Sequence, residues 1–268
     1  MTESVSEVER NDYVRFRTRF TFERFVELPR NGTYRFLDFG CGEGHSIEAL
    51  LDVFPQARFF GAEYEPGMLS RCTTRLGSDP RFTLITMTRP DSLEGIGSGF
   101  DVIQLNAVFE HMLPAERRTL MPDLWKRIAI GGYLILTETP WRWFPIETHS
   151  TGRPLVNYMP DRLALFTMRR FSKGGRFSNT RTWEAALREG LRGATVREIM
   201  ASLGAAPGSA QIVQSSAPDA RDMLEVWWHG ECRKTTQKKI AYAALRAWRA
   251  VTGMVVSPWI NLVVRKVA

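Results

Sequence analysis

The sequence has almost nothing from which to build covalent cross-links: three cysteines, Cys41, Cys72 and Cys232, in 268 residues. An odd count without paired spacing excludes a disulfide framework and a cysteine zinc site, and it fits a reducing, cytoplasmic compartment. Long apolar runs are missing too; no stretch reaches the roughly 20 apolar residues that a membrane-spanning helix needs. The opening MTESVSEVERNDYVRF is acidic and polar, unlike a secretory leader. There is no internal repeat and no low-complexity tract. The most informative absence is of one charge sign. From Arg233 to Ala268 there is no Asp or Glu, against eight Lys and Arg, while the whole chain carries a net charge of +7. The rest is therefore close to neutral, and the basicity belongs to a C-terminal appendage.

What is present is ordinary in bulk and patterned in detail. Apolar residues make up 44% of the chain and charged ones 24%, as in one large domain able to bury a full core. Residues 12–28 read as a helix anchored by Phe16, Phe20 and Phe25. Apolar strands follow at 34–40, 57–63, 81–87, 100–108 and 133–139, separated by helices at 44–54, 66–76 and 114–128. The glycines at 131–132 read as the end of the last of these helices. Alternation at this spacing means βαβ units and a parallel sheet. Beyond Pro140 the pattern breaks. Residues 140–180 carry prolines, aromatics and arginines without periodicity and are too long for a plain connection. Helices resume over 181–203, with a strand at 210–214, a helical stretch at 219–252 and a last strand at 260–266.

FLDFGCGEGHS, residues 36–46, puts Gly40, Gly42 and Gly44 directly behind the first strand, where a parallel sheet brings its ligands. A dinucleotide loop has its third glycine five residues after the first, and here that position is His45. A pyrophosphate also avoids a neighbouring carboxylate, yet Asp38 stands two residues before the loop. Asp38 has the wrong sign for a phosphate and the right sign for an ammonium. Glu63, ending the second strand, can accept hydrogen bonds from both hydroxyls of a ribose. A ligand with a ribose, a cationic amino-acid end and no phosphate is S-adenosylmethionine.

LDFGCGEGH, GAEYEPGML, FDVIQLNAVFEHM and GGYLILTETP together resemble the successive motifs of class I S-adenosylmethionine-dependent methyltransferases, over roughly residues 30–140. The resemblance implies a Rossmann-like α/β fold, with a seven-stranded, mostly parallel sheet and helices on both faces. It implies one domain over 1–268: a cofactor-binding core at 30–140, an inserted substrate lid at 140–180, and a basic helical insertion at 219–256 before the last strand. By the same resemblance Asp38, Gly40 and Gly42 hold the methionine end, Glu63 the ribose, and Tyr64 lies against the adenosine. Asn106 lines the cofactor, and Asp91 is the adenine contact. Some relatives carry a Glu-x-x-Glu-His metal site after the fourth strand; Ala107 occupies its first position, so no metal is expected.

Methyl transfer from a sulfonium is an in-line displacement that asks the protein mainly for alignment. A hydroxyl acceptor also asks for a base, and His111, beside Glu110, is the candidate. TPWRWFPIETHSTGRPLVNYMP, residues 139–160, follows the fifth strand and can fold over the same pocket. Its Trp141, Trp143 and Phe144 make a carbohydrate-facing surface with Arg142, Glu147 and His149, which are expected to contact the substrate. The competing reading is that Glu147 and His149 only hold the lid shut. The stretch is similar to a segment of bacterial methyltransferases linked to cell-surface polysaccharide. The leading expectation is therefore O-methylation of a saccharide or lipid-linked glycan. One alternative is a small-molecule or lipid O-, N- or C-methyltransferase of specialised metabolism; another, of a different class, is a non-catalytic binding module with this fold. The run Arg162, Arg169, Arg170, Lys173, Arg176 and Arg181 is either a solvated face or one turned to phosphate.

QKKIAYAALRAWRAVTGMVVSPW, residues 237–259, reads as a helix to about Thr252, with Ile240, Ala244, Leu245, Trp248 and Val251 on one face. That face either docks on the sheet or lies on an anionic membrane, since Lys and Arg beside Trp is the composition of an interfacial helix. No base-reading motif interleaves these basic residues, so nucleic acid ranks last among partners.

Overall fold

Seven strands, β1 (Arg35–Phe39), β2 (Arg58–Glu63), β3 (Phe82–Thr86), β4 (Phe100–Asn106), β5 (Ile128–Pro140), β6 (Ala210–Ile212) and β7 (Trp259–Lys266), join in one sheet of order β3-β2-β1-β4-β5-β7-β6. β1 to β5 pair in parallel, and β7 is antiparallel to both its neighbours. The helices are α1 (Glu7–Phe25), α2 (His45–Leu51), α3 (Pro66–Leu76), α4 (Pro114–Arg127), α5 (Asp161–Phe171), α6 (Trp183–Arg188), α7 (Val196–Ser202), α8 (Met223–His229) and α9 (Thr236–Thr252). This is the Rossmann-like, mostly parallel α/β architecture. The computed structural model describes residues 7–172, 175 and 177–268. Residues 1–6, and Lys173 and Arg176 of the basic run, lie outside them.

Successive strand residues point to opposite faces, so each strand feeds two cores. Leu37, Ile103, Leu105, Leu134 and Leu136 pack with Leu120 and Leu124 of α4 and Ile199 of α7. Phe36, Phe59, Val102, Tyr133 and Ile135 pack with Phe22 of α1, Ile47 and Leu50 of α2, and Leu76 of α3. Burial on both sides is why these strands read as apolar runs. Asp38 shares the face of Phe36 and so points toward the α1–α2 side. In α1 the anchors are Phe20, Phe22 and the partly buried Phe25; Phe16, expected among them, is 42% exposed.

Two expectations are corrected, and one of the two readings of the basic helix is removed. The double glycine does not end α4 but sits inside β5, opposite a register shift between Phe100 and Val102. Gly131 has a φ of +84°, and a β-carbon on Gly132 would lie 2.8 Å from the Asp101 carbonyl oxygen. It is a β-bulge that glycine alone fits. Next, α5 lies in the stretch expected to lack periodicity. Ala164, Thr167 and Met168 face inward while Leu163, Phe166 and Phe171 are exposed. Apolar residues on both faces blur the helical period. Finally, α9 does not dock through its apolar face. Tyr242 bonds Glu225 at 2.6 Å, Arg249 pairs with Asp222 and Glu225, and Lys238 donates to the Trp227 carbonyl at 2.8 Å. The polar face is turned in, and Ile240, Trp248 and Val251 are turned out.

Candidate active site

β1 is flanked by β2 on one side and β4 on the other, so the carboxyl ends of β1 and β4 frame the crevice where parallel α/β sheets bind ligands. The three glycines of the loop there do different work. All have positive φ: 74° at Gly40, 53° at Gly42 and 84° at Gly44. A β-carbon on Gly40 would meet Val108 at 2.6 Å, and one on Gly44 would meet Leu76 at 2.6 Å. These two glycines let the β4 loop and α3 close against the turn. Around Gly42 nothing lies within 4 Å of that position, leaving the backbone open to a ligand.

Asp38 and Glu63 bracket this opening. Asp38 is buried, and neither carboxylate oxygen makes a hydrogen bond of ordinary geometry. Burial pushes its pKa up to about 7, with the nearby Gln104 and Ser46 side chains pulling it down and Glu63 adding to the rise. Glu63 is buried as well but well served. Its Oε2 accepts from the Gly42 N–H at 2.9 Å, and its Oε1 from the Tyr64 and Glu65 N–H groups at 2.8 and 3.0 Å. The carboxylate thus bridges the glycine loop and the end of β2. The Tyr64 ring beside it is exposed. Asp91, in the turn after β3, pairs with Arg89 at 3.1 Å.

Asn106 is occupied by the protein itself. Its Oδ1 accepts from Arg17 at 2.6 Å and from the Thr137 hydroxyl at 2.9 Å, while its Nδ2 donates to Ser46 Oγ at 3.1 Å. It ties α1, α2 and β5 to the end of β4. Arg17 is buried, bonds the Tyr13 hydroxyl at 2.8 Å, and pairs with Glu138, which also accepts from Tyr13. Burial lowers the Arg17 pKa and raises that of Tyr13, and the contact between the two opposes both shifts. Glu138 has a φ of 63° and Ala107 a φ of 54°. Two non-glycine residues in the left-handed region, at the carboxyl ends of adjacent strands, are strain held in place by this network at about 1 kcal/mol or more each.

On the far side of the crevice, Glu110 is fully buried with Oε1 unpartnered, and burial pushes its pKa up to about 8. Next to it, His111 Nδ1 is 2.6 Å from the Arg188 carbonyl oxygen. A carbonyl only accepts, so Nδ1 carries the proton and Nε2 is the basic nitrogen, 4.0 Å from Glu110. The His149 ring lies edge-on to His111 at 5.2 Å, and Trp259 lies edge-on to His149 at 6.1 Å. The structure therefore brings His111 and His149 together.

Arg142 and Glu147, expected to contact the substrate, both make bonds within the protein. Glu147 is buried, accepting from the N–H groups of His149 and Ser150 at 2.8 and 2.9 Å and from the Thr151 hydroxyl at 2.8 Å. Its carboxylate folds the loop. Arg142 pairs with Glu198 and donates to the Arg192 carbonyl at 3.3 Å, fastening the loop to α7. In the segment after β5, Trp143 and Tyr158 are exposed, with ring centroids 5.9 Å apart. A cavity of about 440 Å³, lined by Arg19, Phe22, Arg24, Arg30, Leu50 and Phe54, lies where α1 and α2 end, at the opposite edge of the sheet.

Residues 37–134 match the family described as a methyltransferase domain. S-adenosylmethionine is the cofactor that this family implies, and the buried Asp38 carboxylate and the open space beside Gly42 fit that cofactor's cationic amino-acid end. The trans-aconitate 2-methyltransferase of Delftia acidovorans is 32% identical over 127 residues, 46% of this chain and 46% of that protein. The carboxy-S-adenosyl-L-methionine synthase of Salmonella paratyphi C is 26% identical over 144 residues, 52% of this chain and 54% of that one. The chain spans about half the length of the curated relatives it matches. Among solved structures, one from Bordetella parapertussis described as a possible exported protein aligns over 97% of this chain and 68% of its own. Its TM-score of 0.51 at 14% identity shows a shared fold alone.

Tyr13, Arg17, Glu138 and Trp259, which line a small pocket tied to the end of β4 through Arg17 and Asn106, were not legible in the sequence. The one available sign was Tyr13 and Arg17 four apart on an otherwise aromatic helix, which puts them on one face.

Proposed function

We propose that the chain is an S-adenosylmethionine-dependent methyltransferase acting on an oxygen of its acceptor. The observation that carries the reading is Asp38, a buried carboxylate with Gln104 and Ser46 near it but no hydrogen bond of ordinary geometry, beneath a glycine loop whose middle member faces open space. A buried carboxylate so weakly served is costly unless a ligand cation completes it. S-adenosylmethionine would supply an electrophilic methyl group. The chain's own residues then do the rest: Asp38 receives the ammonium end, Glu63 the ribose hydroxyls, and Tyr64 covers the adenosine, with Asp91 toward the adenine. Asn106 keeps the end of β4 in register. His111, its tautomer fixed by the Arg188 carbonyl, takes the acceptor proton at Nε2. For the acceptor we favour a saccharide or lipid-linked glycan, supported by the exposed Trp143–Tyr158 pair in the segment after β5. A lipid-linked acceptor would put the reaction at the face of an anionic membrane. A second reading, a small acid methylated on a carboxylate, is favoured by the relatives named trans-aconitate 2-methyltransferase. A carboxylate acceptor needs no base.

Calorimetric titration with S-adenosylmethionine tests the cofactor site. Glu63→Ala should weaken binding by about 1.5–3 kcal/mol, the range for hydrogen bonds to a charged group. Asp38 must be ionised to hold an ammonium, and its pKa is raised to about 7. Affinity should therefore climb about tenfold per pH unit from pH 5 to 7 and level off above. Asp38→Asn should abolish the slope. Tight NAD binding, or a flat profile in the native chain, sinks the assignment.

A further inference from the structure

No helix among the described residues is long and apolar enough to cross a membrane. One helix is nevertheless built the wrong way round for a surface helix. α9 presents Lys238, Tyr242 and Arg249 to α8, where Asp222, Glu225 and Glu231 receive them. Its opposite side is Ile240, Ala243, Ala244, Ala247, Ala250 and Val251, all exposed, with Trp248 on the flank at 50% exposure. Val251 is 86% exposed and Ile240 66%. An ordinary surface helix buries the apolar stripe and solvates the polar one. Here internal ion pairs anchor the polar side, and the apolar side is left facing out.

The charges beside that apolar side have one sign. Lys239 and Arg246 are the charged residues of α9 left on its exposed flanks, and no Asp or Glu occurs in the helix or between it and Ala268. The chain continues the pattern past the helix with Met254, 58% exposed. An apolar strip with Trp at its margin and only Lys and Arg beside it matches an interface between lipid headgroups and acyl chains. A protein partner burying such a strip ordinarily meets both charge signs at the rim. We infer that the outward face of α9, from Ile240 to Met254, is a docking surface for an anionic lipid bilayer.

The position of α9 couples this surface to the crevice. Between Thr252 and Trp259 the chain covers at most about 25 Å, and Trp259 backs the His149 ring. A bilayer against α9 thus lies within reach of the mouth through which an acceptor enters. The inference goes beyond the methyl-transfer reading and does not rest on it, because its test measures binding and not turnover.

The test uses the full chain with sedimented vesicles of phosphatidylcholine, with and without phosphatidylglycerol. Binding is expected to the anionic vesicles only and to weaken with added salt. Ile240→Asp with Val251→Asp should reduce partitioning at least tenfold. Lys239→Glu and Arg246→Glu should each reduce it about fivefold or more, the equivalent of about 1 kcal/mol per basic residue at such a surface. All of these positions are exposed, so the variants should keep the native circular dichroism and cofactor affinity. Three outcomes overturn the inference. The first is absence from anionic vesicles at low salt. The second is vesicle binding retained by the α9 variants but lost on Phe166→Asp, which would move the contact to α5. The third is a native dimer, by sedimentation velocity, that Val251→Asp converts to monomer.

Discussion

His111→Ala should lower turnover by about 10²–10⁴, the usual worth of a positioned base, while cofactor affinity stays within about twofold of the native value. The reason is geometric. The imidazole sits at the carboxyl edge of the sheet, and the Arg188 carbonyl at 2.6 Å fixes which nitrogen is basic. Because the Asp38 and Glu63 contacts lie on the β1–β2 side, removing the ring leaves the cofactor site whole. His111→Gln should be as slow as His111→Ala, since an amide keeps a hydrogen bond but cannot take a proton. Single-turnover measurement with methyl-labelled cofactor isolates the step. If turnover survives in both variants, the acceptor oxygen arrives already ionised, and the carboxylate reading replaces the hydroxyl one.

Arg17→Met is expected to cost about 3–5 kcal/mol of stability, the range for removing one partner of a buried ion pair. Its guanidinium reaches Asn106, Tyr13 and Glu138, and through Asn106 it acts on Ser46 and Thr137. Without it, Glu138 keeps a left-handed backbone and a charge with no cation against it. Glu138→Gln in the same chain should restore much of the loss, because the stranded charge goes with the partner. Urea midpoints of the two single variants and the double variant measure the coupling. An unchanged midpoint in Arg17→Met would mean that the network contributes position only.

The parts of this molecule that were legible in the sequence are those whose cause is local. α3 begins where Glu65 and Pro66 say it should, since Glu65 accepts from the Gly67 and Met68 N–H groups and proline suits the first turn. The glycine loop could be read because positive φ demands glycine. What stayed hidden depends on what lies opposite. The stripe on α9 looks the same whether it docks or faces out; the choice is made by Asp222 and Glu225 on α8, which select the polar side. Arg142 and Glu147 have the chemistry of substrate contacts, and no local pattern announces that Glu198 and the loop amides also bond them. The bulge at Gly131 and Gly132 resembles a helix terminator until the Asp101 carbonyl is seen beneath it. Arg17 is separated by 89 residues from Asn106, a pairing that no local pattern announces.

The place of β7 has a consequence for how the molecule is made. It comes last among the strands in sequence, yet it lies between β5 and β6, and β6 pairs with nothing else in the sheet. A ribosome that has synthesised the chain through Ser257 has therefore released β5 with one bare edge and β6 with no partner at all. The long β5 strand, with Leu134 and Leu136, waits in that state with its amides unpaired, as inviting to another nascent chain as to its own missing neighbour. Only when residues 259–266 leave the exit tunnel can the edge close. The sheet is finished from the inside by its latest arrival, and synthesis speed over the last helix sets how long the gap stands open.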